Sequence, residues 1–184
     1  MKKIISLLVV FIFLFSFAKA QEPAFSLGDK VVNIGIGLGN ALYTGSGYKG
    51  SIPPVSISFE KGIKDNVLEK GTIGVGGYLG YSSYKWEYLN WGWKYTNIII
   101  GARGNFHYPL VDKLDTYVGI LLGYNIATSK EFGTSIGYDY SASSGGFIWS
   151  GYIGGRYFFN DSLAALVELG SGISYLTLGI AVKF

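Results

Sequence analysis

The 184 residues carry 15 Lys or Arg against 12 Asp or Glu, with one His, no Cys, 28 Gly and 17% aromatic residues. Without cysteine there is no disulfide, no thiolate metal site and no lipid-modified cysteine, and a lone histidine leaves little for a zinc or transition-metal centre. No basic patch or stripe suggests a nucleic-acid binder, and the aromatic and β-branched content excludes a disordered glycine-rich chain.

The chain opens with Lys2 and Lys3, an apolar run from Ile4 to Phe17, and Ala18-Lys19-Ala20 before Gln21. A basic start, a short apolar stretch and a small-x-small site mark a secretory signal peptide. The run is too short to favour a membrane-spanning helix. Cleavage after Ala20 removes Lys2, Lys3 and Lys19 and no acid, leaving 12 basic residues against 12 acidic ones. The expected organisation is a signal peptide over 1–20 and one domain over 21–184.

From Lys30 onward apolar residues recur at every second position, the period of a strand. Strand one is expected over 30–38, with Val32, Ile34, Ile36 and Leu38 on one face and Asn33, Gly35 and Gly37 on the other. Strand two, 54–60, sets Val55, Ile57 and Phe59 against Ser56, Ser58 and Glu60. Strand three, 72–81, sets Ile73, Val75, Leu79 and Tyr81 against Gly74, Gly76, Tyr78 and Gly80. Strand four, 95–108, sets Ile98, Ile100, Ala102, Phe106 and Tyr108 against Asn97, Arg103, Asn105 and His107. Strand five, 116–126, sets Val118, Ile120, Leu122 and Tyr124 against Tyr117, Gly119, Gly123 and Asn125. Strand six, 147–159, sets Trp149, Ile153, Tyr157 and Phe159 against Ser150, Tyr152, Gly154 and Arg156. Strand seven, 163–170, and strand eight, 175–184, repeat the pattern with Val167 and Leu169 against Leu166 and Glu168, then Leu178 and Ile180 against Thr177 and Gly179.

The composition of the two faces decides which one is outside. A soluble barrel buries its apolar face and shows charge to water. Here the other face is Gly, Ser, Asn and Tyr with few charges, which suits a narrow interior, so the apolar face meets lipid. The expected fold is all-β, an eight-stranded antiparallel up-and-down transmembrane barrel, the closed form that satisfies its backbone in lipid. External connections are expected at 39–53, 82–94, 127–146 and 171–174, and periplasmic ones at 61–71, 109–115 and 160–162. The first periplasmic turn is long for the class and the last external loop short.

The segments Tyr117-Val-Gly-Ile-Leu-Leu-Gly-Tyr-Asn125, Gly154-Gly-Arg-Tyr-Phe158 and Leu178-Gly-Ile-Ala-Val-Lys-Phe184 resemble those of small outer-membrane β-barrels common in Bacteroidetes, and more distantly the OmpW-type and OmpA-type barrels. The resemblance covers essentially the whole mature chain. It implies insertion in the outer membrane of a Gram-negative bacterium, with Phe184, Val182 and Ile180 as the signal read by the barrel-assembly machinery. The chain departs from the full OmpA pattern, because no peptidoglycan-binding domain is expected after the last strand.

Four charges, Glu60, Arg103, Arg156 and Glu168, are expected inside. Buried charges are costly unless paired, so a lumen charge network that rigidifies the barrel is expected. A selectivity or gating element is the sharper alternative. An eight-stranded barrel is just wide enough for side chains to fill, which argues against a wide channel. The stretch from Tyr84 to Tyr95 alternates aromatics with charges and amides, and its Trp86, Tyr88, Trp91 and Trp93 form a candidate surface-binding loop for a glycan or partner protein. The plainer alternative makes these rings, with Tyr138 and Tyr140, an external aromatic girdle. Lipid A-modifying barrels, which the resemblance brings to mind, use a His with Ser and an acid near the outer leaflet. His107 is expected at the periplasmic end without a suitable Ser–Asp pair. Gly35-Ile-Gly37-Leu-Gly39 and Gly74-Val-Gly76-Gly77 look like nucleotide loops but open no helix, and are expected to leave room for Tyr78, Tyr117, Tyr152 and the arginines.

These residues point to a non-enzymatic outer-membrane barrel with a structural or surface-interaction role and no cofactor. The alternatives are a transporter of small or hydrophobic solutes and a lipid A-modifying enzyme. Expected partners are outer-membrane lipid and lipopolysaccharide, the assembly machinery during biogenesis, and an unidentified surface ligand.

Overall fold

The computed structural model describes residues 23–39, 42, 48–88, 91–133 and 141–184. The proposed signal peptide and the loop residues Tyr138 and Tyr140 lie outside them. Eight strands follow in order: β1 (Lys30–Leu38), β2 (Tyr48–Val67), β3 (Gly71–Tyr88), β4 (Trp91–Val111), β5 (Leu114–Gly133), β6 (Ser141–Phe158), β7 (Leu163–Gly170) and β8 (Leu176–Lys183). Each pairs antiparallel with its neighbours in sequence, and β8 returns to β1, closing an up-and-down barrel. Closure pairs every strand on both sides through the belt and leaves no edge there; above it β2 and β6 extend beyond their β1 and β7 partners, which reach only Val55 and Tyr152.

Alternation fixes the faces. One continuous outward rung runs Ile180, Ile34, Ile57, Leu79, Ile100, Tyr124 and Phe147 across β8, β1, β2, β3, β4, β5 and β6. These side chains are all exposed, as are Ile120 (56%) and Trp149 (73%). A soluble protein rarely shows so large an apolar surface. The inward face holds Asn33, Ser58, Glu60, Asn97, Arg103, Asn105, His107, Arg156 and Tyr117, all buried.

β1 and β7 begin and end where the alternation predicts, whereas β2 to β6 run for 18 to 21 residues. A bilayer is crossed by about 9–11 tilted residues. The apolar pattern stops at that length, but backbone pairing continues through polar sequence. Most of the surplus, at 48–54, 82–88, 91–97, 127–133 and 141–146, stands as a wall beyond the apolar belt, at the end opposite both termini. The long turn expected at 61–71 is therefore mostly strand. β2 runs to Val67, and the reversal at 68–70 uses left-handed Leu68 and Glu69, at φ 49° and 76°. The turn after β6 is held by Asn160 Oδ1, which accepts the N–H groups of Ser162 at 3.0 Å and Leu163 at 2.8 Å.

Residues 23–29, for which the alternation carries no signal, fold under the terminus-bearing end. Phe25 is buried with Val31, Phe158, Ala164 and Ala181. Gly62 makes this possible, because a Cβ there would strike the Ser26 carbonyl. Instead Gly28 N–H donates to Gly62 O at 3.0 Å and Gly62 N–H donates to Asp29 O at 2.9 Å. Lys183 Nζ donates to Ala24 O at 3.0 Å.

Candidate functional site

Two places gather chemistry: the lumen and the wall above the belt. In the lumen, the tier nearest the termini centres on Arg156 of β6, whose surface is entirely buried. Its guanidinium donates to Asp115 Oδ2 of β5 at 2.9 Å and to Glu60 Oε2 of β2. His107 of β4 lies between the same carboxylates, 2.7 Å from Asp115 Oδ1 through Nδ1 and 2.6 Å from Glu60 Oε1 through Nε2. Asn105 Nδ2 donates to Glu60 Oε1 at 2.8 Å. Rings close the tier: Phe25 lies 4.3 Å from the His107 ring, and Tyr117 stacks 4.7 Å from the Arg156 guanidinium. Gly74 makes room for the Glu60 carboxylate and Gly154 for the Tyr117 ring, since a Cβ at either would overlap them.

The next tier centres on Arg103 of β4. It donates to Glu168 Oε1 of β7 at 2.5 Å, to the Tyr152 hydroxyl at 2.6 Å and to Ser58 Oγ at 3.1 Å. Tyr117 donates its hydroxyl to Glu168 at 2.6 Å, and Tyr152 donates to Asn105 at 2.5 Å. The two tiers are thus joined by neutral groups rather than by a direct contact between their charges. Beyond Arg103 the described residues of the lumen are uncharged up to Glu131 in the wall. Ile99, Leu121 and Ile173 pack together with Leu42, Tyr78 and Ile148 against them, and Asn125 donates to Asn97 at 3.1 Å. Between Arg103 and Ile173 a cavity of about 30 Å³ remains, room for two or three waters at about 10–15 Å³ each.

The structure pairs Glu60 with Arg156 and Arg103 with Glu168. Sequence reasoning missed Asp115 because it assigned that residue to a turn. β5 begins at Leu114, so Asp115 shares the inward face of Tyr117. His107, expected to have no suitable Ser–Asp pair, is contacted by two acids, Asp115 and Glu60. Both ring nitrogens are taken by carboxylates, which leaves neither for a serine hydroxyl.

In the wall, Trp86 and Tyr88 continue the face of Tyr78 and Ser82 on β3, while Trp91 and Trp93 continue that of Asn97 and Ile99 on β4. The rings of these four residues therefore stand on the barrel's concave side, whereas a girdle needs the lipid face, one residue out of phase; Tyr138 and Tyr140 lie outside the described residues. Trp86 and Trp91 meet edge to face at 6.1 Å, as do Trp91 and Trp93 at 6.3 Å. Trp91 Nε1 donates to Glu131 Oε1 on β5. Tyr88 is 64% exposed. At the other end Phe184, Val182 and Ile180 lie exposed on the outer face. Phe184 and Lys30 exchange backbone hydrogen bonds of 2.9 and 3.2 Å.

No protein-family model matches the sequence, and no curated protein matches it by sequence. Solved structures do match its fold. Ail, the attachment invasion locus protein of Yersinia pestis, superposes with a TM-score of 0.55 at 14% identity, over 86% of this chain and 99% of that one. The N-terminal β-barrel domain of Pseudomonas aeruginosa OprF matches at 0.50 and 14% identity, over 86% and 98%. The outer membrane protein OprG of the same organism matches at 0.50 and 12%, over 89% and 99%. At such identities the likeness shows the fold alone, and that fold is the eight-stranded barrel of outer-membrane proteins.

Proposed function

We propose that the chain is an integral outer-membrane barrel, without enzymatic activity, whose lumen is structural and whose concave aromatic wall is an interaction surface. The observation that carries this reading is the division between the two sites. The charged groups of the lumen are spent on one another across β2, β4, β5, β6 and β7, whereas Trp86, Tyr88, Trp91 and Trp93 stand above the belt with partly open rings. Aromatic faces beside the Glu131 carboxylate suit the apolar face and hydroxyls of a glycan. The attachment invasion locus protein of Yersinia pestis shares the architecture, which supports a surface role. The Bacteroidetes and OmpW-type assignment and removal of residues 1–20 belong to the same reading.

The test has two readings. The refolded mature chain, shown to be inserted by its altered migration without boiling, is expected to give no discrete currents in planar bilayers. Cells displaying it are expected to bind a glycan array, and Trp86→Ala/Trp91→Ala/Trp93→Ala to lose that binding while still migrating as a folded barrel. Discrete currents whose selectivity changes in Arg103→Ala would favour a solute channel instead. Equal binding by the variant would remove the aromatic wall from consideration.

A further inference from the structure

The outward face of the same wall carries a different chemistry. Register pairs Lys85 of β3 with Lys94 of β4, and Lys94 with Lys130 of β5. It also pairs Lys49 of β2 with Lys85. Four lysines therefore occupy one rung across four adjacent strands, spaced by the ~4.8 Å between strands. Lys85, Lys94 and Lys130 share the outward face of Leu79, Ile100 and Tyr124, because no bulge interrupts these strands between the two rungs. None of the three forms an ion pair among the described residues. Lys85 lies 5.3 Å above the Phe132 ring, and the nearest outward acid, Glu87, sits one rung higher, opposite Gly92.

Like charges directly opposite one another on paired strands are destabilising. A row of them is tolerable where a polyanion lies against it. The height of the row selects which one. Below the lysines comes a hydroxyl rung, Ser83, Thr96, Thr128 and Ser143, and below that the last apolar rung, Tyr81, Ile98 and Ile126. Four residues at ~3.3 Å each, tilted by ~40°, put the lysine backbone ~10 Å above the belt. The polar layer of a bilayer is ~5–8 Å deep on each side, and the flexible lysine stem lets the ammonium reach down to it. The ammonium groups thus reach the level of headgroup phosphates in the leaflet on the wall's side, below their own backbone rung.

We propose that Lys85, Lys94 and Lys130 form a docking site for the phosphates of lipopolysaccharide in that leaflet. This rests on the outer-membrane reading and names the residues that hold the lipid. The test uses the refolded chain and its Lys85→Gln/Lys94→Gln/Lys130→Gln variant in neutral detergent micelles. Each is mixed with lipid A bearing its phosphates or stripped of them, and retained lipid is measured by mass spectrometry after gel filtration. Folding of both proteins is checked by migration with and without boiling. The expected result is retention of phosphorylated lipid A by the parent and a loss on the order of a hundredfold in the variant, about fivefold per lysine near an anionic surface. Equal retention by the folded variant, equal retention of the stripped lipid, or displacement by an equal concentration of inorganic phosphate would overturn the proposal alone. Absence of the folded band in both proteins would bring down the barrel reading and this site with it, a result recognisable before any lipid is added.

Discussion

Replacing Arg156 by methionine tests whether the lumen is held by paired charge. The side chain has no exposed surface and contacts Glu60 and Asp115, with Tyr117 and Phe25 rings 4.7 and 5.7 Å from its guanidinium. Methionine is flexible enough to fill an irregular gap, so the loss is electrostatic rather than a cavity. It leaves two buried carboxylates facing one imidazole. Removing one partner of a buried ion pair costs about 3–5 kcal/mol. The companion variant, Glu60→Gln/Asp115→Asn/Arg156→Met, removes both signs together. Exchange of a complete buried ionic set for neutral groups is often harmless, so this triple variant is expected to recover most of the loss. Urea unfolding of vesicle-inserted protein, followed by the unboiled gel band, measures both. A loss below about 1 kcal/mol in Arg156→Met, close to the ±0.5 kcal/mol of an ordinary surface substitution, would refute the reasoning. So would a triple variant less stable than the single one.

Three further outcomes follow from the same geometry. Ile120→Arg, in the outward belt, is expected to cost about 2–4 kcal/mol in vesicles if it lies at the bilayer midplane; unchanged stability there would remove the belt from lipid. Gly154→Ala drives a Cβ into the Tyr117 ring and is expected to destabilise the barrel by about 1–3 kcal/mol, as overpacking does, read by the same gel titration. Gly62→Ala strikes the Ser26 carbonyl; hydrogen exchange over 23–29 should rise towards that of a free tail while the strands stay protected, and unchanged exchange would show that the cap does not depend on this glycine.

The strands were legible wherever burial by lipid imposes a strict period of two. β1 and β7, which barely exceed the belt, carry the signal along their whole length and could be bounded to the residue. β3 and β4 could not, because above the belt both faces are polar or aromatic and hydrophobicity stops reporting direction. Pairing there is set by continuing the register, which runs unbroken from Thr72↔His107 to Tyr88↔Trp91. The facing of Trp86 and Trp93 was readable by that continuation and not by composition. Glu60, Arg103, Arg156 and Glu168 were legible as inward residues, since parity alone places them. Who meets whom was not. Asp115 joins Arg156 because β5 starts one residue before it, and Phe25 reaches His107 because residues 23–29 turn under the barrel. Neither fact leaves a periodic trace.

The buried network has a consequence for the wall. Side chains alternate with a period of two, so a slip of one residue exchanges the faces of a strand completely. In β4 such a slip would carry Arg103, Asn105 and His107 towards lipid and bring Ala102 and Phe106 inward; in the wall it would turn Trp91 and Trp93 outward and Lys94 inward. The wall cannot resist this by itself, since both of its faces are amphiphilic. The lumen can. An arginine near the bilayer midplane costs about 2–4 kcal/mol, and the slip would also break the bonds of Arg103 to Glu168, Tyr152 and Ser58. The bonds of Arg103 within the lumen thereby help fix which chemistry the distant wall shows to lipid and which it keeps above the lumen. A charge-neutral lumen that packed equally well would leave the register to the apolar belt alone, so the network adds to the hold on the surface even though no ligand touches it.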